Sequence, residues 1–191
     1  MNLFNNLLGK KNEMQKENTD DISNPFAFAI SKAKEAMSND AEKYLEKGDN
    51  ENDPDNAIAA YEMAINLKPD LAEAYINMGL TYAEKKKDQQ KAFECYEKAL
   101  AIEPKSNDAY FNMGTLHAQM KEYDKAIVYF ESAIKYNHYD FDAYRFMSYC
   151  YRDKGDEGKQ IECVKTAAEL GDKAAQSWLL DKGYIKISIE K

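Results

Sequence analysis

An internal repeat narrows what this chain can fold into more than any other feature. Tyr75, Met78, Gly79 and Tyr82 recur as Tyr110, Met113, Gly114 and His117, and again as Tyr144, Met147, Ser148 and Tyr151, at a spacing of 34 to 35 residues. A second set follows each of the first. Ala92, Tyr96, Ala99 and Pro104 match Ala126, Phe130, Ala133 and His138, and Ala57, Tyr61, Ala64 and Pro69 fit the same pattern upstream. When small and large residues return together at a fixed period, each unit buries its apolar face on the next, and large side chains fill the space that small ones open. Each unit reads as two helices of about 12 to 15 residues, so the chain is expected to be all-α, a solenoid of antiparallel helix pairs.

Departures from the repeat locate its turns. Lys85 to Lys87 with Asp88 add one residue to the turn inside the second unit, and Asp49 to Asp53 form a longer insertion before Pro54 in the first. Ala41 reads as the first unit's counterpart of Gly79 and Gly114, while in the fourth unit Gln160 stands for Ala126 and Val164 for Phe130. Asn24-Pro25, Asp53-Pro54, Ser106, Asp140 and Asp172 supply the side-chain oxygens and preset backbone angles that start helices. A last helix from about Lys173 to Lys182, stopped by Gly183, carries Trp178 and Leu179 and would cover the open end of the array.

The organisation expected from these signals has three parts: a disordered or weakly ordered segment at 1–24, a repeat domain at 25–183 and a tail at 184–191. Within the domain, the units span about 33–69, 70–105, 106–139 and 140–172, with a cap helix at 173–183. In the first segment, Leu3, Phe4, Leu7 and Leu8 make a short apolar stripe beside Lys10 and Lys11; disorder, docking in a groove and weak membrane contact are all open to it. The tail alternates in the manner of a strand from Tyr184 to Ile189, and can lie on the cap helix or pair with a second copy.

The order of Tyr75, Gly79, Tyr82, Ala92, Tyr96, Ala99 and Pro104, repeated as above, resembles the tetratricopeptide repeat family over roughly residues 33–172. The resemblance implies a right-handed superhelix whose concave groove is lined by the first helix of each unit and holds an extended or helical peptide. It places Glu73, Ile76, Asn77, Leu80 and Glu84 in the groove from the second unit, and Asp108, Phe111, Asn112, Thr115 and Gln119 from the third. The fourth unit contributes Asp142, Arg145, Phe146, Tyr149, Arg152 and Asp153.

Asn77 and Asn112 stand where family members often bond a ligand's backbone through an amide that can both donate and accept, although the same residue also serves there in plain solvent contact. Phe111, Phe146 and Tyr149 can offer apolar pockets or can fill space between units. The Lys, Asn, Asn, Lys, Arg clamp by which some members hold a terminal carboxylate is not matched. Around Asn77 the clamp places hold Ser38, Glu42, Asp108 and Asn112, and around Asn112 they hold Ile76, Leu80, Asp142 and Phe146. Glu35, Glu73, Asp108 and Asp142 recur along one rim; they suit helix starts, and they would complement a basic and apolar ligand.

Composition bears on partners. A net charge of -8 opposes binding to a phosphate backbone, so no nucleic acid partner is expected. The cations are almost all Lys, with Arg only at Arg145 and Arg152, so a bidentate guanidinium contact can exist in one place, late in the chain. Cys95, Cys150 and Cys163 are odd in number and lack zinc or redox spacing, which suits core residues in a reducing compartment. With no apolar run long enough for a leader or a membrane span, a cytoplasmic protein is expected.

No His lies at a recognisable spacing from Ser, Cys or carboxylate, and no glycine-rich phosphate loop appears, so neither catalysis nor a cofactor is expected. His117 and His138 read as structural substitutions, with no metal site. The function expected is a protein–protein interaction module or scaffold that binds a peptide segment of a partner. Two rivals stand beside it. One is a dedicated chaperone for a secreted or aggregation-prone client, since small acidic chaperones with three such units are similar in size and charge. The other is a self-assembling repeat protein, with Met1 to Leu8 or Ile185 to Ile189 in a neighbour's groove.

Overall fold

The structure is a computed structural model that describes residues 25–185. The expectations for residues 1–24, including the cap at Asn24, and for the tail from residue 186 onward lie outside the described residues. Nine α-helices follow in order among those described: α1 Pro25–Asp49, α2 Pro54–Leu67, α3 Ala72–Thr81, α4 Gln89–Ile102, α5 Asn107–Gln119, α6 Tyr123–Tyr136, α7 Phe141–Lys154, α8 Glu157–Glu169 and α9 Lys173–Asp181. A π turn, Tyr82–Lys86, extends α3. No strand occurs among the described residues.

The starts are set by side-chain caps. Asp53 accepts from the backbone N–H of Asp55 and Asn56, with Pro54 in the first helical turn, while Ser106 accepts from Ala109, Asp140 from Ala143, and Asp172 from Ala174 and Ala175. Asp88 and Asp156 cap α4 and α8 in the same way through Lys91 and Lys159. Each such cap contributes about 1 kcal/mol.

Every helix packs on its neighbours in chain order, and α3, α5 and α7 also touch one another in succession. That is the contact pattern of a solenoid, in which first helices stand side by side and second helices back them. The fold is all-α, as the repeat requires.

Inside the first three units a large residue of the second helix stands over a glycine of the first. A Cβ added to Gly79 would come 2.6 Å from Cε1 of Tyr96, and one added to Gly114 would come 2.8 Å from Cδ1 of Phe130. Tyr96 and Phe130 are fully buried, and each ring stabilises the fold by about 1.5 to 3 kcal/mol through area removed from water.

In the first unit the ring is Tyr61 and the glycine beneath it is Gly48, where a Cβ would meet the ring at 2.4 Å. This corrects the register that set Ala41 there. Ala41 precedes Gly48 by two helical turns and so shares its face; it is also buried, and a small buried residue at either place satisfies the same pattern. Two consequences follow. The stretch from the glycine to the helix cap, Gly48 to Asp53, is shorter than Gly79 to Asp88 or Gly114 to Glu122, not longer, because α1 stops at Asp49, directly after the glycine, whereas the other two first helices run on well past theirs. The rim position six residues before the glycine is Glu42, not Glu35.

The second unit's extra residue is absorbed by the π turn, the usual way a helix takes in a single insertion. Lys87 then adopts a left-handed φ of 55°, as Lys121 (61°) and Gly155 (78°) do at the matching places.

Gly114→Ala should test the ring contact. The Cβ would also come 3.2 Å from the Ala126 carbonyl oxygen, and overpacking of this kind costs about 1 to 3 kcal/mol, against about 1 kcal/mol gained in helix propensity. Thermal unfolding should therefore move down by the equivalent of about 1 kcal/mol. In a Phe130→Val background, which copies the fourth unit's Val164, the same change should be neutral or stabilising. An equal loss in both backgrounds would show that the ring is not the constraint.

Candidate functional site

The side chains expected in the groove fall into separate settings. Asn77 on α3 donates from Nδ2 to Oδ1 of Asp49 at 2.8 Å, and the Tyr61 hydroxyl donates to the same oxygen at 3.0 Å. Burial, with Asp49 beside it, pushes the Tyr61 phenol well above its ordinary range. Asn77 is thus tied to the end of α1. Asn112, its counterpart on α5, is half-buried and makes no side-chain hydrogen bond among the described residues.

Glu73, Ile76, Asn77 and Asp108 line one polar recess of about 310 Å³, completed by the Glu103–Asn107 connection. Leu80 is not part of it. It lies in a separate recess of about 140 Å³ with Glu84, Lys85 and the α1–α2 turn. Thr115 is half-buried, with a hydroxyl oxygen that finds no partner in the structure.

Aromatic residues dominate farther along. Phe111 stands 5.6 Å from Phe130 and 5.2 Å from Phe146, and Phe130 stands 6.1 Å from Phe146, so three rings close the space among α5, α6 and α7. Phe111 and Phe146 therefore serve packing between units. Tyr149, 5.9 Å from Phe146, is the exposed member at 42 %. Arg145 lies over Phe146 at 5.8 Å and Arg152 over Tyr149 at 5.3 Å, distances at which a cation is attracted to a ring face.

Arg145 pairs with Asp142 and, from Nη1, with the buried cap residue Asp172 at 3.4 Å; Arg152 donates from Nε to Asp153 at 2.8 Å. Arg145, Tyr149 and Arg152 border a mostly apolar cavity of about 270 Å³, whose far walls are Gln160 and Val164 of α8 and Trp178 of α9. Arg145, Phe146, Tyr149 and Arg152 are brought together, as are Glu73, Ile76, Asn77 and Asp108. Sequence reasoning passed over Asp49 and these α8 and α9 walls, although Val164 in the place of a ring was a readable signal.

His117 is buried at 8 %. Its ring stacks on Tyr129 at 5.1 Å and tilts against Phe93 at 4.7 Å, and Nδ1 lies 2.7 Å from Oε2 of Glu122. His138 is exposed in the α6–α7 connection. No cluster of three or more His, Cys, Asp or Glu suited to a metal occurs among the described residues. The three cysteines are free and buried, and burial pushes each thiol up to about 11, which removes thiolate reactivity near neutral pH. No helix among the described residues is long and apolar enough to cross a membrane.

Antiparallel helix pairs stacked in succession define a helical-repeat domain. Models of the tetratricopeptide repeat match residues 41–86, 72–106 and 108–140, and the chain belongs to that family. Among solved structures it is similar to a crystal structure of MamA protein, at 28% identity and a TM-score of 0.61 over 74% of this chain and 79% of that one. A second crystal structure of MamA agrees at 28% and 0.62, over 76% and 86%. A structure of Pseudomonas aeruginosa pilF shares the fold at 17% identity and 0.62, over 81% and 70%. No curated protein matches the chain significantly.

The His117–Glu122 contact predicts a pH effect. The hydrogen bond from His117, followed by that from Lys125, holds the Glu122 carboxyl below its ordinary value of 4.5. A depressed carboxyl adds stability above its unfolded value and loses it as pH falls through the folded one. The melting temperature of the native chain should exceed that of Glu122→Gln at pH 7, and the gap should narrow as the pH falls below the ordinary carboxyl value of 4.5. A gap that is equal at pH 7 and pH 3 would remove the pair from the account.

Proposed function

We propose that the groove along α3, α5 and α7 binds an extended or helical segment of a protein partner whose residues are basic and apolar. The chain is a protein–protein interaction module and not an enzyme. The observation that supports the groove reading is Asn112 of α5, the middle one of the three helices, whose half-buried amide makes no hydrogen bond to the protein among the described residues and could both donate to and accept from a ligand's backbone. Asn77 serves only once Asp49 releases it. Glu42, Glu73 and Asp108 are exposed and keep one offset from the buried glycines, which supports a basic ligand. Three free cysteines support residence in the reducing cytoplasm.

Self-association has an observation of its own. Phe28, Ile30 and Met37 of α1 are all about half exposed, ahead of the part of the helix that packs on α2. Light scattering across a concentration series checks this, and a monomer throughout would set it aside.

The partner is identified by mild purification from the native cells and mass spectrometry, and its affinity is then measured with purified components. Asn112→Ala should weaken binding about tenfold, the loss of paired backbone contacts, and Asn77→Ala should weaken it less. Glu73→Lys with Asp108→Lys should weaken it further at low salt than at high. Unchanged affinity in Asn112→Ala would place binding on another surface.

A further inference from the structure

The fourth unit departs from the others where it meets the cap helix. Counted from the helix caps, Phe111 of α5 corresponds to Arg145 of α7, Phe146 of α7 to Trp178 of α9, and Phe130 of α6 to Val164 of α8. The first trio closes its interface with three rings. The second cannot. Val164 is far smaller than a phenyl group, Arg145 is drawn to Asp142 and Asp172, and the Trp178 ring stacks on Tyr184 at 5.8 Å. What remains is the cavity of about 270 Å³. An apolar cavity of about 150 Å³ is enough to hold benzene, so this one has room for an aromatic side chain.

The mouth supplies the charge. Arg145 and Arg152 are the only arginines in the chain, and both border this cavity. Both Nη atoms of Arg145 are used, one by Asp172 and one by Asp142. Arg152 lies over Tyr149 and hydrogen-bonds only through Nε, to Asp153, so its two Nη groups make no hydrogen bond among the described residues. That pair can take a carboxylate in two parallel bonds.

We infer that the cavity between α7, α8 and α9 is an anchor site for an aromatic side chain of the partner peptide, with a neighbouring carboxylate of that peptide held by Arg152. The site rests on the groove reading and names the chemistry of one end of the ligand. The incoming ring completes between the fourth unit and the cap the three-ring closure that Phe111, Phe130 and Phe146 make one unit earlier.

Small probes test this without the partner. Phenylacetate carries a ring and a carboxylate, and phenethylamine carries a ring of the same size with the opposite charge. In methyl-resolved NMR of the full chain, phenylacetate should shift the Val164 and Ala175 methyls with a Kd of about 1 mM, as its few atoms allow. Phenethylamine should bind more weakly. Arg152→Gln, at an exposed position, should weaken phenylacetate about fivefold, the size of one partly exposed ion pair. Val164→Phe should abolish its binding by filling the space from within.

No shift at Val164 would overturn the site, and equal binding of phenethylamine would overturn the role of Arg152. Tightening beyond about tenfold on deletion of residues 186–191 would show the chain's own tail as occupant and overturn the partner. Partner affinity unchanged in Val164→Phe, with phenylacetate lost, would overturn the anchor and leave the groove reading standing, whereas loss of the partner only in Asn112→Ala would separate the two in the same direction.

Discussion

The first three units are organised by the contact of a buried ring on a glycine. With no Cβ at Gly48, Gly79 or Gly114, the second helix approaches until Tyr61, Tyr96 or Phe130 lies directly on the backbone of the first. The ring then reaches beyond its own pair. Phe130 touches Phe146 of the next unit, so a contact that fixes the spacing inside one pair also fixes how the following pair docks. In a solenoid, where each unit meets only its neighbours, coupling of this kind carries the order of the groove along the chain.

The turns adapt to this contact. Between ring and glycine the second unit takes a π turn with a left-handed Lys87 and the third a plain turn closed by a left-handed Lys121, while the fourth unit, with Ser148 and Val164 in those places, closes with Gly155. The first unit instead ends α1 at Asp49, directly after Gly48. Because Tyr61 lies over Gly48, its hydroxyl falls beside the adjacent Asp49, and that carboxylate then takes the Asn77 amide as well. A register set by packing in one unit thereby decides the state of a groove residue in the next.

The parts of this fold visible in the sequence are those governed by local rules: the period, the helix pairs, and caps such as Asp53, Ser106, Asp140 and Asp172. Ala41 was set in the glycine's place because two helical turns return to the same face, and only the position of the Tyr61 ring distinguishes the two residues. Glu35 was carried to the rim by the same displacement. Asn77 looked equivalent to Asn112 because its partner lies 28 residues away and meets it only through packing between units. Val164 stood out as a departure, but its consequence depends on where α9 sets Trp178, which no periodicity encodes.

Charge gives the groove a direction. Carboxylates at Glu42, Glu73 and Asp108 keep one offset through the first three units, and the fourth unit repeats it with Asp142, whose charge is taken up by Arg145. Past that point Arg152, paired with Asp153 through Nε, keeps its two Nη groups as free donors among the described residues. A ligand lying along the first helices would therefore meet carboxylates for most of its length and free guanidinium donors at the end. Reversing the ligand would place its cations on Arg152 and its carboxylate on Glu73, a mismatch at both ends. Backbone bonding through Asn112 is indifferent to direction, so affinity and orientation would come from different residues: the amide from mid-groove, and polarity from the acidic rim and the two arginines.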